Sequence, residues 1–284
     1  MSSNSNAIAL FKAQLSKFSG NFEKHLNSSK NRLVKEMIYG IQAAKDVKLS
    51  NIARTLKEDQ SLIKTEDRLS RNLDDVDLTE IINNEICRLA SNKINENSII
   101  AIDPGDIAKK YAKKMEFLYK VHDGSEGEIV NGYPVCAAVA TDLETKSLIP
   151  LYLEAYSTVA DGFESENKQI FKAIEMIKKN VGNKGVYVID RGGDRPAIFN
   201  QMFKNNLKFV IRLKDRNLIH NGIQINSAEI AKCIDTPYKS ALIIYKNSME
   251  TRCEVSYNAI KVKLPFATEN HLYLVIVKGF GLQQ

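Results

Sequence analysis

The sequence predicts an α/β chain built on a mixed sheet, with a helical segment before it and a β-rich segment after it. Three observations carry that prediction. Apolar residues recur at helical spacing through residues 1–97. From Ser98 the periodicity becomes that of strands alternating with helices, and two of those strands close on an aspartate followed by turn residues. The organising stretch is Gly185-Val186-Tyr187-Val188-Ile189-Asp190-Arg191-Gly192-Gly193-Asp194, a β-branched and aromatic run that stops at an acid and two glycines able to turn the backbone sharply. Ser98-Ile99-Ile100-Ala101-Ile102-Asp103 ends in the same way. The carboxyl edge of such a sheet is where ligands and metals collect. Either aspartate alone is as readily a loop or helix cap; the matched pair is the raw material of a metal site.

In the helical segment, with Gly20 and Gly40 as its breakers, Leu33, Met37 and Ile41 mark one amphipathic helix. Leu49, Ile52, Ala53 and Leu56 mark a second, and the polar turn Lys57-Glu58-Asp59-Gln60 leads to a third with Leu62, Leu69 and Leu73 inward. On the third, Lys64, Arg68 and Arg71 fall on one face, which in a helix-turn-helix would meet DNA phosphates. Glu66 and Asp67 interrupt that stripe, so it is equally a solvated face. A fourth helix opens at Asp77, as a cap with Glu80 three residues on, and shows Leu78, Ile81, Ile82, Ile86 and Leu89 on its apolar side. The polar run from Asn92 to Asn97 is the expected boundary.

Beyond the first aspartate come Pro104-Gly105-Asp106 and a basic cluster, Lys109, Lys110, Lys113 and Lys114 around Tyr111. Such a cluster suits a polyanion or a solvated helical turn equally. Asp123-Gly124 and Asn131-Gly132 are turn signals. Tyr133–Ala140 and Leu148–Tyr156, joined through Thr141-Asp142-Leu143-Glu144, read as an antiparallel hairpin. Then follow a helix capped by Ser165, the Asp190 strand, a helix capped by Asp194 with Pro196 in its first turn, and a fifth strand from Phe209 to Lys214. Strand, hairpin, helix, strand, helix, strand is the order of a ribonuclease H-like fold, in which the first and fourth strands lie side by side and would bring Asp103 to Asp190. Ala241–Tyr245, Arg252–Tyr257 and Leu272–Val277 are candidate strands of the last segment. The expected units are therefore 1–97, helical and DNA-binding; 98–216, the core; and 217–284, β-rich.

A chain of 284 residues has room for one large or two ordinary domains, and a net charge of +6 favours an anionic partner without demanding one. Cys87, Cys136, Cys233 and Cys253 form no CxxC pair and read as reduced core residues of a cytoplasmic protein. His25, His122, His220 and His271 are too scattered for a zinc site of the usual spacing. Met1-Ser2-Ser3-Asn4 does not resemble a signal peptide, and no apolar run reaches bilayer length, so a soluble, intracellular chain without a membrane partner is expected.

The blocks Ile102-Asp103, Ile107–Glu116, Asp123-Gly124-Ser125-Glu126-Gly127, Ile149-Pro150-Leu151, Ser165-Glu166-Asn167 and Val188–Asp194 together resemble a DDE-type transposase of a bacterial insertion sequence. The resemblance covers nearly the whole chain. It implies metal-dependent DNA cleavage and strand transfer at transposon ends, with Asp103 and Asp190 as the first two catalytic, metal-binding acids and two Mg²⁺ or Mn²⁺ ions in a complete site. It also implies double-stranded DNA as partner, near the nucleoid, and a β-rich insertion after the fifth strand. That family's third acid lies on a later helix in a Tyr-x2-Arg-x3-Glu-x6-Lys pattern, which this sequence lacks. The expectation is of a chain truncated inside the insertion, inactive alone, that binds DNA or pairs with itself or a full-length transposase. Glu254 and Glu269 are the late glutamates near candidate strands, and neither fits the pattern.

Two-ion phosphodiester chemistry activates the attacking oxygen with one ion and stabilises the leaving oxygen with the other, about 3.5 to 4 Å apart. One aspartate bridges both, yet each ion needs further carboxylate oxygens. Arg191, Arg212 and Lys214 are candidates to clamp a phosphate there, or charged residues at strand exits. A DNA-binding module without catalysis is the alternative. An actin-like ATPase, whose fold also begins with a strand ending in Asp-x-Gly as Asp103-Pro104-Gly105 does, would need a second glycine-rich phosphate loop that this sequence does not offer.

Overall fold

A computed structural model describes residues 2–75, 77–142, 144, 146–246 and 249–279. Met1, Leu143 of the expected hairpin connection and residues 280–284 lie outside them. The helical segment forms α1 (Ser2–Gly20), α2 (Ser28–Ala44), α3 (Leu49–Leu56), α4 (Leu62–Asp74) and α5 (Thr79–Ala90). Asn27 caps α2 by accepting the Lys30 N–H at 3.0 Å. Helices α2, α3 and α4 bury Leu33, Ile52, Ala53 and Leu69 between them. Gly40, expected as a breaker, lies inside α2, because the helix needs a residue without a side chain there: a Cβ would stand 2.3 Å from Ile52 Cγ2.

Helix α5 belongs with the sheet. Asp77 accepts the Thr79 N–H at 2.8 Å at its start, and Cys87 and Ala90 enter the main core. Leu78, just before α5, packs on the cluster of α2, α3 and α4 as well, so this stretch touches both cores. The buried carboxylate of Glu85 on α5 holds Lys24, His25 and Arg88, which ties the α1–α2 connection to the core.

The main sheet is built from β1 (Ile99–Ala108), β2 (Tyr119–Asp123), β3 (Glu128–Thr141), β4 (Leu148–Ala155), β5 (Val186–Ile189) and β6 (Lys208–Ile211). Its order is β2-β3-β1-β5-β6, with β4 also on β3. Pairings β1–β3, β2–β3 and β3–β4 are antiparallel, while β1–β5 and β5–β6 are parallel, so the sheet is mixed. Helix α6 (Glu166–Val181), capped by Ser165, and α7 (Pro196–Lys204) join α5 on one face. That face buries Ile100, Ile102, Ala138, Leu151, Ile174, Tyr187 and Ile189. By strand alternation the opposite face carries Ala101, Asp103, Val139, Leu153 and Val210, all exposed.

Several expectations need correction. Strand β1 does not stop at Asp103: it runs on to Ala108 because β3 continues beside it as far as Gly132. Asn131-Gly132 is consequently no turn but the middle of β3, where a Cβ on Gly132 would lie 2.3 Å from Ile107 O. The lysine cluster occupies an irregular loop, 109–118, and not a helical turn. Asp194 does not cap α7; Arg195 holds that position while Asp194 turns to the residues after β6. The fifth strand ends at Ile211, since Arg212 and the residues after it leave the ladder. Cys87 and Cys136 are buried, but Cys233 is exposed and Cys253 only half-buried.

The last segment forms a second sheet from β7 (Asn217–His220), β8 (Ile223–Asn226), β9 (Tyr238–Lys246), β10 (Met249–Leu264) and β11 (Ala267–Gly279), with α8 (Ser227–Cys233) after β8. The three candidate strands fall within β9, β10 and β11. The β7–β8 hairpin turns on Asn221 and Gly222, both at positive φ, the pair such a turn favours. Leu218, Ile230, Val262, Leu264 and Ile276 pack with Phe199 of α7, so this segment is seated on the core.

Candidate active site at the end of the parallel strand pair

The parallel ladder between β1 and β5 runs from Ile99 opposite Val186 to Ile102 opposite Ile189. Asp103 and Asp190 are the next residue on each strand. Each aspartate thus directly follows the last residue of its strand in this ladder, and the pairing of those two strands is the one expected from the element order. Both are exposed, and β1 alternation sets Asp103 on the open face of the sheet.

Gly185, the residue before β5, lies at φ 81° against Ile100, where a Cβ would meet Ile100 Cδ1 at 2.8 Å. After Ile189 the chain makes a single 3-10 turn, Arg191–Gly193, whose first free amide, Gly192 N–H, donates to Asp190 Oδ1 at 2.7 Å. This fixes one carboxylate oxygen of Asp190. Gly193 lies against Ile189, 2.5 Å from Cγ2 to an added Cβ, which only glycine allows. The turn is then clamped from below: buried Asp194 accepts from Arg216 Nε at 2.5 Å and from the Lys214 N–H at 2.8 Å. Arg216 lies over the rings of Phe199 and Phe266, at 5.5 and 5.3 Å from their centroids. Arg195 reaches the other way, to Glu166 at 3.0 Å and Asn167 at 3.0 Å on the first turn of α6.

Glu166 and Asp106, named in the sequence blocks but given no site role there, are acids near this edge. Partial shielding from water, reinforced by Glu166 and Asp123 and opposed by His122, raises the Asp106 carboxyl above its ordinary value. Cys136, beside Pro104 in the β1–β3 register, is pushed up to about 12 by burial and by the charges of Glu154, Glu166 and Asp103. The signal for Glu166 was its place directly after the capping Ser165. Nothing local marks Asp106, because its neighbours come from β2 and α6.

The other expected residues are dispersed. Arg191 is exposed on the turn after Asp190, and Arg212 and Lys214 are exposed just beyond β6. Lys109 and Lys110 sit in the loop past the end of β1, with Lys110 held by Glu126 at 2.7 Å. Lys64 and Arg71 are exposed on α4. Arg68 is not free: its guanidinium donates to Glu36 at 2.7 Å and Glu58 at 2.8 Å inside the helical bundle. Among the described residues no three His, Cys, Asp or Glu side chains are grouped so as to hold a metal ion. Asp103 and Asp190 offer hard carboxylate oxygens of the kind Mg²⁺ and Mn²⁺ take, two ligands where a two-ion site needs more. No helix among the described residues is long and apolar enough to cross a membrane.

No family model matches the sequence, and no curated protein matches it. Among solved structures the chain is similar to the piggyBac transposase in a synaptic complex with hairpin DNA, at 13% identity and a TM-score of 0.35 over 85% of this chain and 51% of that one. It is similar to endonuclease V of Bacillus subtilis at 12% identity and 0.26, over 72% and 78%. It is also similar to the Mos1 strand transfer complex at 11% and 0.23, over 61% and 56%. The chain thus spans about half the length of the piggyBac protein it matches. At these identities and scores nothing about the activity of this chain follows from them.

Proposed function

We propose that this chain is a DDE-type transposase chain of a bacterial insertion sequence, with a ribonuclease H-like core that supplies two acids of a metal-dependent DNA cleavage and strand-transfer site. The observation that supports the reading is the register of β1 on β5, a parallel ladder whose last pair, Ile102 and Ile189, is followed on each chain segment by an aspartate, Asp103 and Asp190. Mg²⁺ or Mn²⁺ bound there would activate the attacking oxygen and stabilise the leaving one. The chain's own part is to hold the ligands. Gly192 N–H and the Asp194–Arg216 clamp orient Asp190, the pairing with β3 orients Asp103, and Arg191, Arg212 and Lys214 offer positive charge for a phosphate. The expected units, 1–97 for DNA, 98–216 for chemistry and 217–284 as the insertion, remain part of this reading.

Two carboxylates leave each ion short of ligands, which favours a second reading: a chain that binds transposon ends but does not cut them alone, acting as an inhibitor or as the partner of a complete subunit. The exposed Val139, Leu153 and Val210 on the open sheet face would be covered in such a pairing. The test is Mn²⁺ titration followed by electron paramagnetic resonance. Wild type should bind Mn²⁺, with Asp103→Asn and Asp190→Asn each weakening it. Equal binding by all three proteins removes the site. A nicking assay with Mg²⁺ and Mn²⁺ on DNA carrying element ends then separates the readings: cleavage abolished by Asp190→Ala supports a complete catalyst, and binding without cleavage supports the second.

A further inference from the structure

Beyond Asp103, β1, β2 and β3 form an arm that carries the loop 109–118 at its tip. The loop backbone is tied down. Lys109 N–H donates to Asn131 O at 2.6 Å, Asn131 Nδ2 to Ala112 O at 2.8 Å, Tyr133 Oη to Glu116 O at 2.5 Å, and Ser157 Oγ to Phe117 O at 2.7 Å. Its side chains, apart from the half-buried Ala112 and Leu118, are exposed. Tyr111 is 91% exposed, and Met115 and Phe117 of the loop and Tyr119 at the start of β2 are exposed as well.

A tethered backbone that holds an aromatic ring outward is unusual, since apolar area in a well-fixed loop generally finds cover. Lys109, Lys113 and Lys114 flank Tyr111 in sequence, are exposed, and make no ion pair among the described residues. Lys110 is the exception, neutralised by Glu126 and Glu128. Cations interleaved with an exposed aromatic ring fit a nucleic-acid strand whose bases are available for stacking. From Asp103 to Ala108 β1 extends five residues, about 17 Å at strand rise, or about five base-pair steps of a duplex. A strand held at the aspartate pair would therefore meet the loop within a few nucleotides.

We propose that the loop 109–118 grips unpaired DNA a few nucleotides from the aspartate pair, with Tyr111 stacked on a base and Lys109, Lys113 and Lys114 on the flanking phosphates. The position along the strand rests on the reading of Asp103 and Asp190 as the reacting centre; the binding itself does not. The experiment uses the full chain in EDTA, so that its outcome is independent of the Mn²⁺ titration. The probe is a duplex with a five-nucleotide gap carrying 2-aminopurine, whose fluorescence is quenched by stacking. Wild type should bind and quench. Tyr111→Ala should weaken binding about tenfold or more and lose the quenching, while Tyr111→Phe keeps both. Lys113→Ala with Lys114→Ala should lower the salt slope by about 1.4, the value for two contacts to a single strand. Circular dichroism of each variant checks that the fold is kept. Equal binding by wild type and Tyr111→Ala, equal loss in Tyr111→Phe and Tyr111→Ala, or Tyr111-dependent binding to phosphatidylserine vesicles that exceeds binding to the gapped DNA would each overturn the proposal.

Discussion

Replacing Arg216 by alanine should unfold the clamp beneath Asp190. The Asp194 side chain is only 2% exposed and its partner Arg216 17%, with 2.5 Å between Nε and Oδ1. Arg216 also donates from Nη2 to Asp194 O at 3.1 Å and stacks over Phe199 and Phe266. Removing the guanidinium leaves a buried carboxylate whose remaining donor is the Lys214 N–H, and breaking a buried pair this way costs about 3 to 5 kcal/mol. The two ring contacts do not add in full, because they vanish in the same event. For a chain of this size the loss corresponds to a fall in Tm of about 10 °C. Arg216→Lys should fall between, since lysine keeps the charge but neither the fork nor the stacking. Urea unfolding followed by circular dichroism measures the loss, and Mn²⁺ affinity measured in parallel should fall with it. A cost below about 1 kcal/mol, the value of an exposed pair, would show that the clamp does not hold the turn.

Three further outcomes are expected. Glu58 is held down at about 2, chiefly by the Gln60 amide at 2.6 Å, then by Thr65 and Arg68, with burial opposing; its stabilisation is therefore complete above about pH 4.5 and disappears as pH falls towards 2. Acid titration of wild type and Glu58→Gln should show the two curves converging at the acid end, and a constant gap would contradict this. Lys64→Ala and Arg71→Ala should each lower the salt slope of duplex DNA binding by about 0.9 without changing Tm, whereas Arg68→Ala, which takes one of their two arginines from Glu36 and Glu58 and leaves only Arg32, should lower Tm. Gly132→Ala should destabilise the arm by about 1 to 3 kcal/mol, because its Cβ would meet the Ile107 backbone oxygen and the Val121 side chain at Cγ2; hydrogen exchange of β1 and β3 amides should rise there first.

Periodicity alone determined the helices α2 to α4, the hairpin of β3 and β4, helix α6 and the Asp190 strand, since each is a local pattern of apolar spacing with its own punctuation. The element order, read as that of a ribonuclease H-like fold, also set the strand before Asp103 beside the strand before Asp190, and β1 and β5 do pair. What the tertiary structure decided is where the patterns are overridden. Gly40 reads locally as a breaker and Gly132 as part of a turn, but their missing side chains let Ile52 and Ile107 approach, and only the partner element reveals that. Strand β1 continues past Pro104-Gly105 because β3 lies alongside to pair with it. Asp194 and Arg68 carry the local marks of a cap and of a phosphate contact, yet Arg216, Glu36 and Glu58 claim them from positions distant in sequence. A charge reads as available until its partner is placed, because an ion pair depends on distance through space and the sequence records distance only along the chain.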